Sequence, residues 1–214
     1  MTEQEARDWI ASLVPRETVD RLERLVGIVL GEVERQNLIA ASTADHIWAR
    51  HIVDSAQLLR FAPEKAESWV DLGAGAGFPG MVLAAMRPGL AVTLVESRRK
   101  RIDFLKDMAE ALGLGGRVTV AGRRLETLEA TPYHVISARA FAPLDRLFPL
   151  AHRFSLPDTV WLLPKGRGAA SELEAATASW QGAFRIEPSV TDPDSAIIVA
   201  TKVQPKPSRG RMHR

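Results

Sequence analysis

Between a short apolar run, Trp69 to Leu72, and a helix-prone stretch opening at Pro79 lie four glycines in eight positions, Asp71-Leu-Gly73-Ala-Gly75-Ala-Gly77-Phe-Pro-Gly80. A strand, a bare loop and a helix in succession make the start of a crossover unit, which commits this part of the chain to a parallel sheet. Pro79 has no N–H to leave unpaired and suits the first turn of that helix. The alternation continues. Further strands are expected at Ala91 to Val95, Val118 to Ala121, Val135 to Ser137 and Thr159 to Leu163, with helices at Pro79 to Met86, Lys100 to Leu112, Leu144 to Phe154 and Ser171 to Ser179. Phe184 to Glu187 and Ala196 to Val203 are too close together for a crossover helix, so the sheet should finish in an antiparallel hairpin.

Ahead of this region Leu22, Leu25, Val26, Val29, Leu30 and Val33 recur at helical spacing, one stripe on a helix from about Glu17 to Arg35. Pro15 separates it from a shorter helix. A further helix, capped by Ser42 or Thr43, should carry Ile47, Trp48, Ile52, Leu58 and Leu59 as far as Pro63. The expected division is a helical extension over residues 1–66 packed on a core of residues 67–204, with a basic tail at 205–214. The net charge of +2 is unevenly spread: Thr201 to Arg214 hold Lys202, Lys206, Arg209, Arg211 and Arg214 without an acid, leaving 23 basic against 26 acidic residues elsewhere. Such a tail either attracts a polyanion by counterion release or aids solubility. There is no cysteine, which removes thiol nucleophiles and cysteine-ligated metals. No metal site, signal peptide or membrane span is expected; a monomer is expected, although the sequence, with no heptad seam or interface stripe beyond what the core needs, does not itself give the oligomeric state.

The glycine loop allows two readings. Gly75, Gly77 and Gly80 spell the G-x-G-x-x-G of a dinucleotide site, where a helix N-terminus holds a pyrophosphate, and would support a nicotinamide-dependent oxidoreductase. Gly73, Gly75 and Gly77 spell G-x-G-x-G after a strand ending in Asp71, and that form resembles motif I of the S-adenosyl-L-methionine-dependent methyltransferases. Asp71 favours the second, because a carboxylate is poorly placed beside a pyrophosphate but meets the ammonium of an amino acid directly or through water. Glu96, at the end of the second strand, suits the ribose hydroxyls of either cofactor.

Nearly the whole chain resembles one family, the bacterial 16S rRNA (guanine-N7) methyltransferases known as glucose-inhibited division protein B. The resemblance is carried by Asn37-Leu38, Arg50-His51, Asp54-Ser55, Asp71 to Gly80 with its Gly77-Phe78-Pro79-Gly80 ending, Lys100-Arg101, Phe104-Leu105, Arg124-Leu125-Glu126, Arg139-Ala140-Phe141-Ala142 and Lys165-Gly166. It implies a Rossmann-like class I fold, mostly parallel and closed by the hairpin, with Gly73, Phe78, Leu125, Glu126 and Arg139 lining the cofactor site. It also implies a cytoplasmic enzyme whose partner is 16S rRNA or the small ribosomal subunit, methylated in its decoding-region loop. The chain departs from the family pattern at Ile39 and at Tyr133-His134, where an aromatic-Asp pair is usual. His134 is read as an ordinary strand-end histidine that could alter charge near the site.

Guanine N7 carries an unprotonated in-plane lone pair, so its methylation needs positioning and no general base. The missing cysteine disfavours methylation at pyrimidine C5, and Ser137-Ala-Arg139-Ala-Phe141-Ala-Pro143 lacks the Asn/Asp-Pro-Pro-aromatic loop of amino-group methyltransferases. Arg139 is expected to clamp the cofactor carboxylate or an incoming phosphate, with a surface ion pair as the alternative. Lys165, Arg167, Arg123 and Arg124 could follow an RNA backbone along the same edge, with Lys165 and Arg124 close enough to the reaction to act in it. Arg50 and His51 are spaced for local pairing with Asp54 or for facing RNA. The run Arg98 to Arg101 reads as a solvated helix start. Phe78, Phe141 and Trp48 are the aromatics placed where a base could stack. A scaffold that binds RNA without turnover is the remaining competitor.

Overall fold

The computed structural model describes residues 1–207. Helix α1 (Glu3–Ala11) opens with a capping box, in which Thr2 accepts from Glu5 N–H while the Glu5 carboxylate accepts from Thr2 N–H. Helix α2 (Arg16–Glu32) buries Leu22, Leu25, Val26 and Val29 of the expected stripe, whereas Leu30 is exposed and Val33 lies just past the helix end.

The next helix differs from expectation. It is broken into α3 (Ala41–Ala44), a π-helical turn at Trp48–Val53, α4 (Asp54–Ala56) and a 3-10 turn at Gln57–Arg60. Ser42 and Thr43 fall inside α3 and cap nothing. The start of the π turn is capped from another helix: the Glu3 carboxylate accepts from Trp48 N–H at 3.0 Å and Ala49 N–H at 2.9 Å. These are orphan donors that a local side chain normally satisfies, and here an acid over forty residues away does so.

The sheet is built from β1 (Ser68–Leu72), α5 (Gly80–Met86), β2 (Ala91–Val95), α6 (Arg99–Ala111), β3 (Val118–Ala121), β4 (Tyr133–Ala138), α7 (Leu144–Ala151), β5 (Ser155–Lys165), α8 (Ala169–Thr177), β6 (Trp180–Pro188) and β7 (Ala196–Pro205). Its order is β3-β2-β1-β4-β5-β7-β6. The first five strands run parallel, while β7 lies antiparallel to both β5 and β6, the expected hairpin. Strand β6 outruns its apolar signal because most of its residues are exposed on the sheet edge.

Alternation along each strand divides the core into two layers. Trp69, Val135, Leu162 and Val199 face the N-terminal helices with α5 and α6, whereas Val70, Ile136, Trp161 and Ile198 face α7 and α8. Ile10, Leu22, Leu25, Trp48 and Ile52 are fully buried in the first layer. At about 1.5–3 kcal/mol for each such side chain, they hold the helical segment against the sheet. That packing carries residues 38–54 to the carboxyl edge of the strands, beside the switch point between β1 and β4 where doubly wound sheets bind ligands. Among the described residues no helix is long and apolar enough to cross a membrane.

Strand β7 continues to Pro205, and Lys206 is tied down as well, donating from N–H to Ser179 O at 2.8 Å and from Nζ to Thr177 O at 2.5 Å. Arg209, Arg211 and Arg214 of the expected tail lie outside the described residues.

Candidate active site

The glycine loop is shaped by a buried acid beneath it. Asp71 leaves β1 with 1% of its surface exposed; Oδ2 accepts from Gly80 N–H at 3.0 Å and Oδ1 from the Ser137 hydroxyl at 2.8 Å. Ser137 in turn accepts from the Trp69 indole at 2.8 Å. Burial pushes the Asp71 carboxyl up to about 6, against the stabilising bonds from Ser137 and Gly80. Gly80 must be glycine, since a Cβ there would sit 2.2 Å from Leu94 Cδ2. Gly73 is equally constrained: its φ is +72°, and a Cβ would fall 2.5 Å from the Phe141 ring. Asp71, expected beside a ligand ammonium, thus has both oxygens engaged inside the protein and fixes the loop.

One cavity, of about 360 Å³, opens over Gly73 between the ends of β1, β2 and β3. Glu96 forms its wall: Oε1 accepts from Ser97 N–H at 2.7 Å and Arg98 N–H at 2.9 Å, and Oε2 from Gly75 N–H at 3.2 Å. A carboxylate has about four acceptor sites, so one remains for a ribose hydroxyl. Arg98, Arg101, Arg123 and Arg124 ring the opening, and the 3-10 turn at Leu125–Thr127 brings Leu125 and Glu126 to the far side. The fit to S-adenosyl-L-methionine is good: bare backbone for close approach, a ribose acceptor, an apolar side chain and guanidinium groups for a carboxylate.

A second cavity, of about 700 Å³, lies beside it on the same edge, between the N-terminal segment, the β4 exit and the end of β5. Arg139 bridges these parts. Nη2 lies 2.9 Å from His51 Nδ1, and Nη1 reaches Asp54 Oδ2 at 3.4 Å and Arg50 O at 3.3 Å. Its guanidinium also lies over the Phe78 ring, 5.5 Å from the centroid, and Phe78 stacks on His51 at 4.9 Å. Because an arginine only donates, His51 Nδ1 accepts; Nε2–H then donates to Thr43 Oγ1 at 2.9 Å, whose own hydroxyl goes to Ala40 O at 2.8 Å. Burial, reinforced by Arg139 and Arg50, holds the His51 pKa down at about 3. The imidazole is neutral and its two nitrogens are committed.

On the opposite wall Lys165 Nζ lies 2.5 Å from Glu172 Oε2 and donates to Ala142 O at 3.1 Å. Ala140 and Phe141 line both cavities. Ala140 holds a left-handed φ of +51°, uncommon for alanine, and the turn lays the 37% exposed Phe141 ring over Gly73.

The edge therefore gathers Gly73, Glu96, Arg123, Arg124, Leu125 and Glu126 around the smaller cavity and Arg50, His51, Arg139 and Lys165 around the larger. Phe78 is buried behind His51, and Gly75 sits in the loop with φ +56°. Arg167 borders neither cavity and pairs with Asp194 at 2.5 Å. The local pairing of Arg50 with Asp54 does not form: Arg50 turns to Asp192 at 2.5 Å, while Asp54 takes Arg139, Gln57 and Thr191. His134 lies at the amino end of β4, bonded to Ser68 Oγ at 2.7 Å, on the edge opposite the site. Arg98 and Arg101, read as a solvated helix start, face the smaller cavity, and Glu172 carried no sequence signal.

Comparison with known proteins gives the family and the fold. The family model described as rRNA small subunit methyltransferase G (GidB) matches residues 18–192. The chain is 68% identical over 207 residues to ribosomal RNA small subunit methyltransferase G of Rhizorhabdus wittichii, covering 96% of this chain and 95% of that protein. To the protein of the same name in Zymomonas mobilis it is 52% identical over 216 residues, covering 96% of each. In fold it is similar to an O-methyltransferase from Bacillus cereus solved in complex with SAH, with a TM-score of 0.60 at 15% identity, covering 91% of this chain and 96% of that one. The oxidoreductase reading of Gly75, Gly77 and Gly80 finds no support, and the loop gives a physical reason. The N–H of Gly77, the glycine at which the backbone would approach a pyrophosphate, is given to Ala74 O at 2.7 Å. The glycine loop after β1 is motif I of a class I methyltransferase that uses S-adenosyl-L-methionine, and the chain belongs to the rRNA small subunit methyltransferase G family.

Proposed function

We propose that this methyltransferase acts on N7 of a guanine in 16S rRNA, in the decoding-region loop of the small ribosomal subunit, as a monomer in the cytoplasm. When bound, S-adenosyl-L-methionine supplies a methyl group on a sulfonium: the N7 lone pair makes the new N–C bond, the C–S pair returns to sulfur, and the positive charge passes to the purine. No proton is lost, so the protein's work is positioning.

The observation that carries this reading is the state of His51. A histidine in the larger cavity would be the natural general base for an amino or hydroxyl target, but this one is neutral with Nδ1 taken by Arg139 and Nε2–H given to Thr43. It orients Arg139 and supports Phe78. Gly73, Leu125 and Glu126 frame the cofactor; Phe141, between the two cavities, excludes water from the line of transfer and offers a face to the base. Arg50, Arg123 and Arg124 supply cations along the rim for the RNA backbone, and Arg167 adds one outside the two cavities. Duplex RNA hides N7 in a deep, narrow groove, so the substrate guanine is one in a loop or flipped out of its stack.

The test is transfer of labelled methyl from S-adenosyl-L-methionine to small subunits that lack 7-methylguanosine, with the modified base mapped by N7-selective cleavage. Label at one guanine N7 is expected. Label confined to an amino group, a ribose or the large subunit would overturn the reading.

A further inference from the structure

We propose that Glu172 and Lys165 form the subsite that reads the target base, Glu172 accepting from guanine N1–H and the 2-amino group while Lys165 donates to O6. The inference rests on the guanine-N7 reading above and adds the residues that would make it selective.

Two carboxylates line the larger cavity, Asp54 and Glu172. Asp54 is spent: Oδ1 accepts from Gln57 at 2.9 Å and Thr191 at 3.3 Å, and Oδ2 faces Arg139. Glu172 is different. Oε2 takes both Lys165 Nζ and, at 3.3 Å, Leu144 N–H, and among the described residues no donor reaches Oε1. Lys165 has three N–H groups and uses two, on Glu172 and Ala142 O. The pair thus leaves one acceptor oxygen and one donor side by side.

That couple fits one purine edge. Guanine presents O6, then N1–H, then the 2-amino group: an acceptor followed by donors. Adenine presents an amino donor and then the bare N1 lone pair, which would face a carboxylate with no hydrogen between them. Pyrimidines have no N7 to methylate. Unpaired buried groups, more than lost attraction, make such a site reject the wrong base. In the absence of RNA the two side chains neutralise each other, so neither is left as an uncompensated charge.

With its Watson–Crick edge on Glu172 and Lys165, the guanine keeps its N7 edge free. Methylation turns the neutral ring into a cation, and its N1–H and amino hydrogens become stronger donors as the charge arrives. A carboxylate on those hydrogens therefore binds the transition state more tightly than the substrate, so Glu172 adds to rate as well as to selectivity.

The test uses the full chain and small subunits reconstituted with 16S rRNA in which the mapped guanine is kept or replaced by inosine, which lacks the 2-amino group alone. Wild-type protein should favour guanine by about tenfold or more in kcat/KM, the equivalent of one lost hydrogen bond to a charged acceptor. In Glu172→Gln the guanine rate should fall by about a hundredfold and the inosine rate far less, narrowing the preference below about threefold. Glu172→Asp keeps the carboxylate and should retain the preference at reduced rate. Cofactor affinity, measured by calorimetry, should not change in either variant, because Glu172 borders the larger cavity and not the smaller. A preference unchanged in Glu172→Gln, or absent from the wild type, overturns the proposal. Failure of wild-type protein to methylate the guanine-bearing subunits overturns the guanine-N7 reading itself, so the two failures are told apart.

Discussion

The smaller cavity takes its shape from backbone, with Gly73 at φ +72°, the loop pinned by Asp71 and Glu96 accepting three main-chain N–H groups. The larger is framed by side chains delivered from separate stretches of chain: His51 and Asp54 from the helical segment, Arg139 from the β4 exit, Lys165 and Glu172 from β5 and α8. A cofactor common to many enzymes can be held by a local motif, whereas a particular RNA base needs groups assembled from far apart. The difference predicts two kinds of failure: substitutions at the first cavity should act on cofactor affinity, those at the second on transfer and base choice.

Arg139→Ala gives the largest expected effect. Arg139 bridges His51, Asp54 and the Phe78 ring, so its loss should misplace the wall between the cavities and lower methyl transfer by about a hundredfold. Thermal unfolding should show a smaller cost, about 2 kcal/mol for hydrogen bonds to charged groups. An Arg139→Ala protein that methylates normally would remove the bridge from the account. Next is Gly73→Ala, expected to weaken the cofactor by roughly tenfold, because the added Cβ meets Phe141 and the left-handed φ costs about 1–2 kcal/mol. Combining it with Phe141→Ala should recover the part due to the collision and not the part due to φ. Additive losses in a calorimetric titration would show that the two residues do not share the boundary.

The legibility of the molecule in its sequence follows the same division. Strands β2 and β3 appear where their apolar runs put them, and the glycine loop, Glu96 and the terminal hairpin all lie within short segments whose patterns report local geometry. The breaks in the helix after residue 40 were not legible. Its π turn is capped by Glu3, and nothing near Trp48 in the chain records that contact. Arg50 and Asp54 sit at pairing distance along a helix, yet each finds a partner more than eighty residues away, Asp192 for Arg50 and Arg139 for Asp54. Glu172 reads as an ordinary acid in the first turn of a helix. Only the fold sets it against Lys165.

A smaller effect separates the two regions by pH. Asp71, under the cofactor loop, titrates at about 6 in the fold against 3.8 in the open chain. Its protonation therefore favours the folded state, a contribution complete below pH 3.8 and lost as pH rises through about 6. His51, beside the larger cavity, titrates at about 3 against 6.5. The unfolded chain takes up that proton first, so the contribution of His51 is complete above pH 6.5 and is lost as pH falls toward 3. Between about pH 4 and 6 the two oppose each other, each worth about 1.4 kcal/mol per pH unit. Relative to wild type, Asp71→Asn should lose stability on acidification in denaturant titrations, and His51→Gln should gain it. Slopes that tilt the same way would show that one of the two groups is not held as described.

The smallest effect is expected at the rim. Arg50 and Asp192 form a partly exposed pair at 2.5 Å, and the guanidinium holds the Asp192 carboxyl below the usual carboxylate range. Pairs of this kind contribute under about 1 kcal/mol, so Arg50→Ala should scarcely change the unfolding midpoint. Its effect belongs to RNA. A cation that neutralises one phosphate reduces the slope of log affinity against log salt by about 1 when removed, and weakens binding to every sequence alike. Arg124→Ala, at the rim of the smaller cavity, should give a similar change in slope if the RNA backbone crosses both openings. A changed slope at Arg50 with none at Arg124 would confine the RNA to the side of the larger cavity, making the boundary at Phe141 a boundary between substrates as well as between ways of building a site.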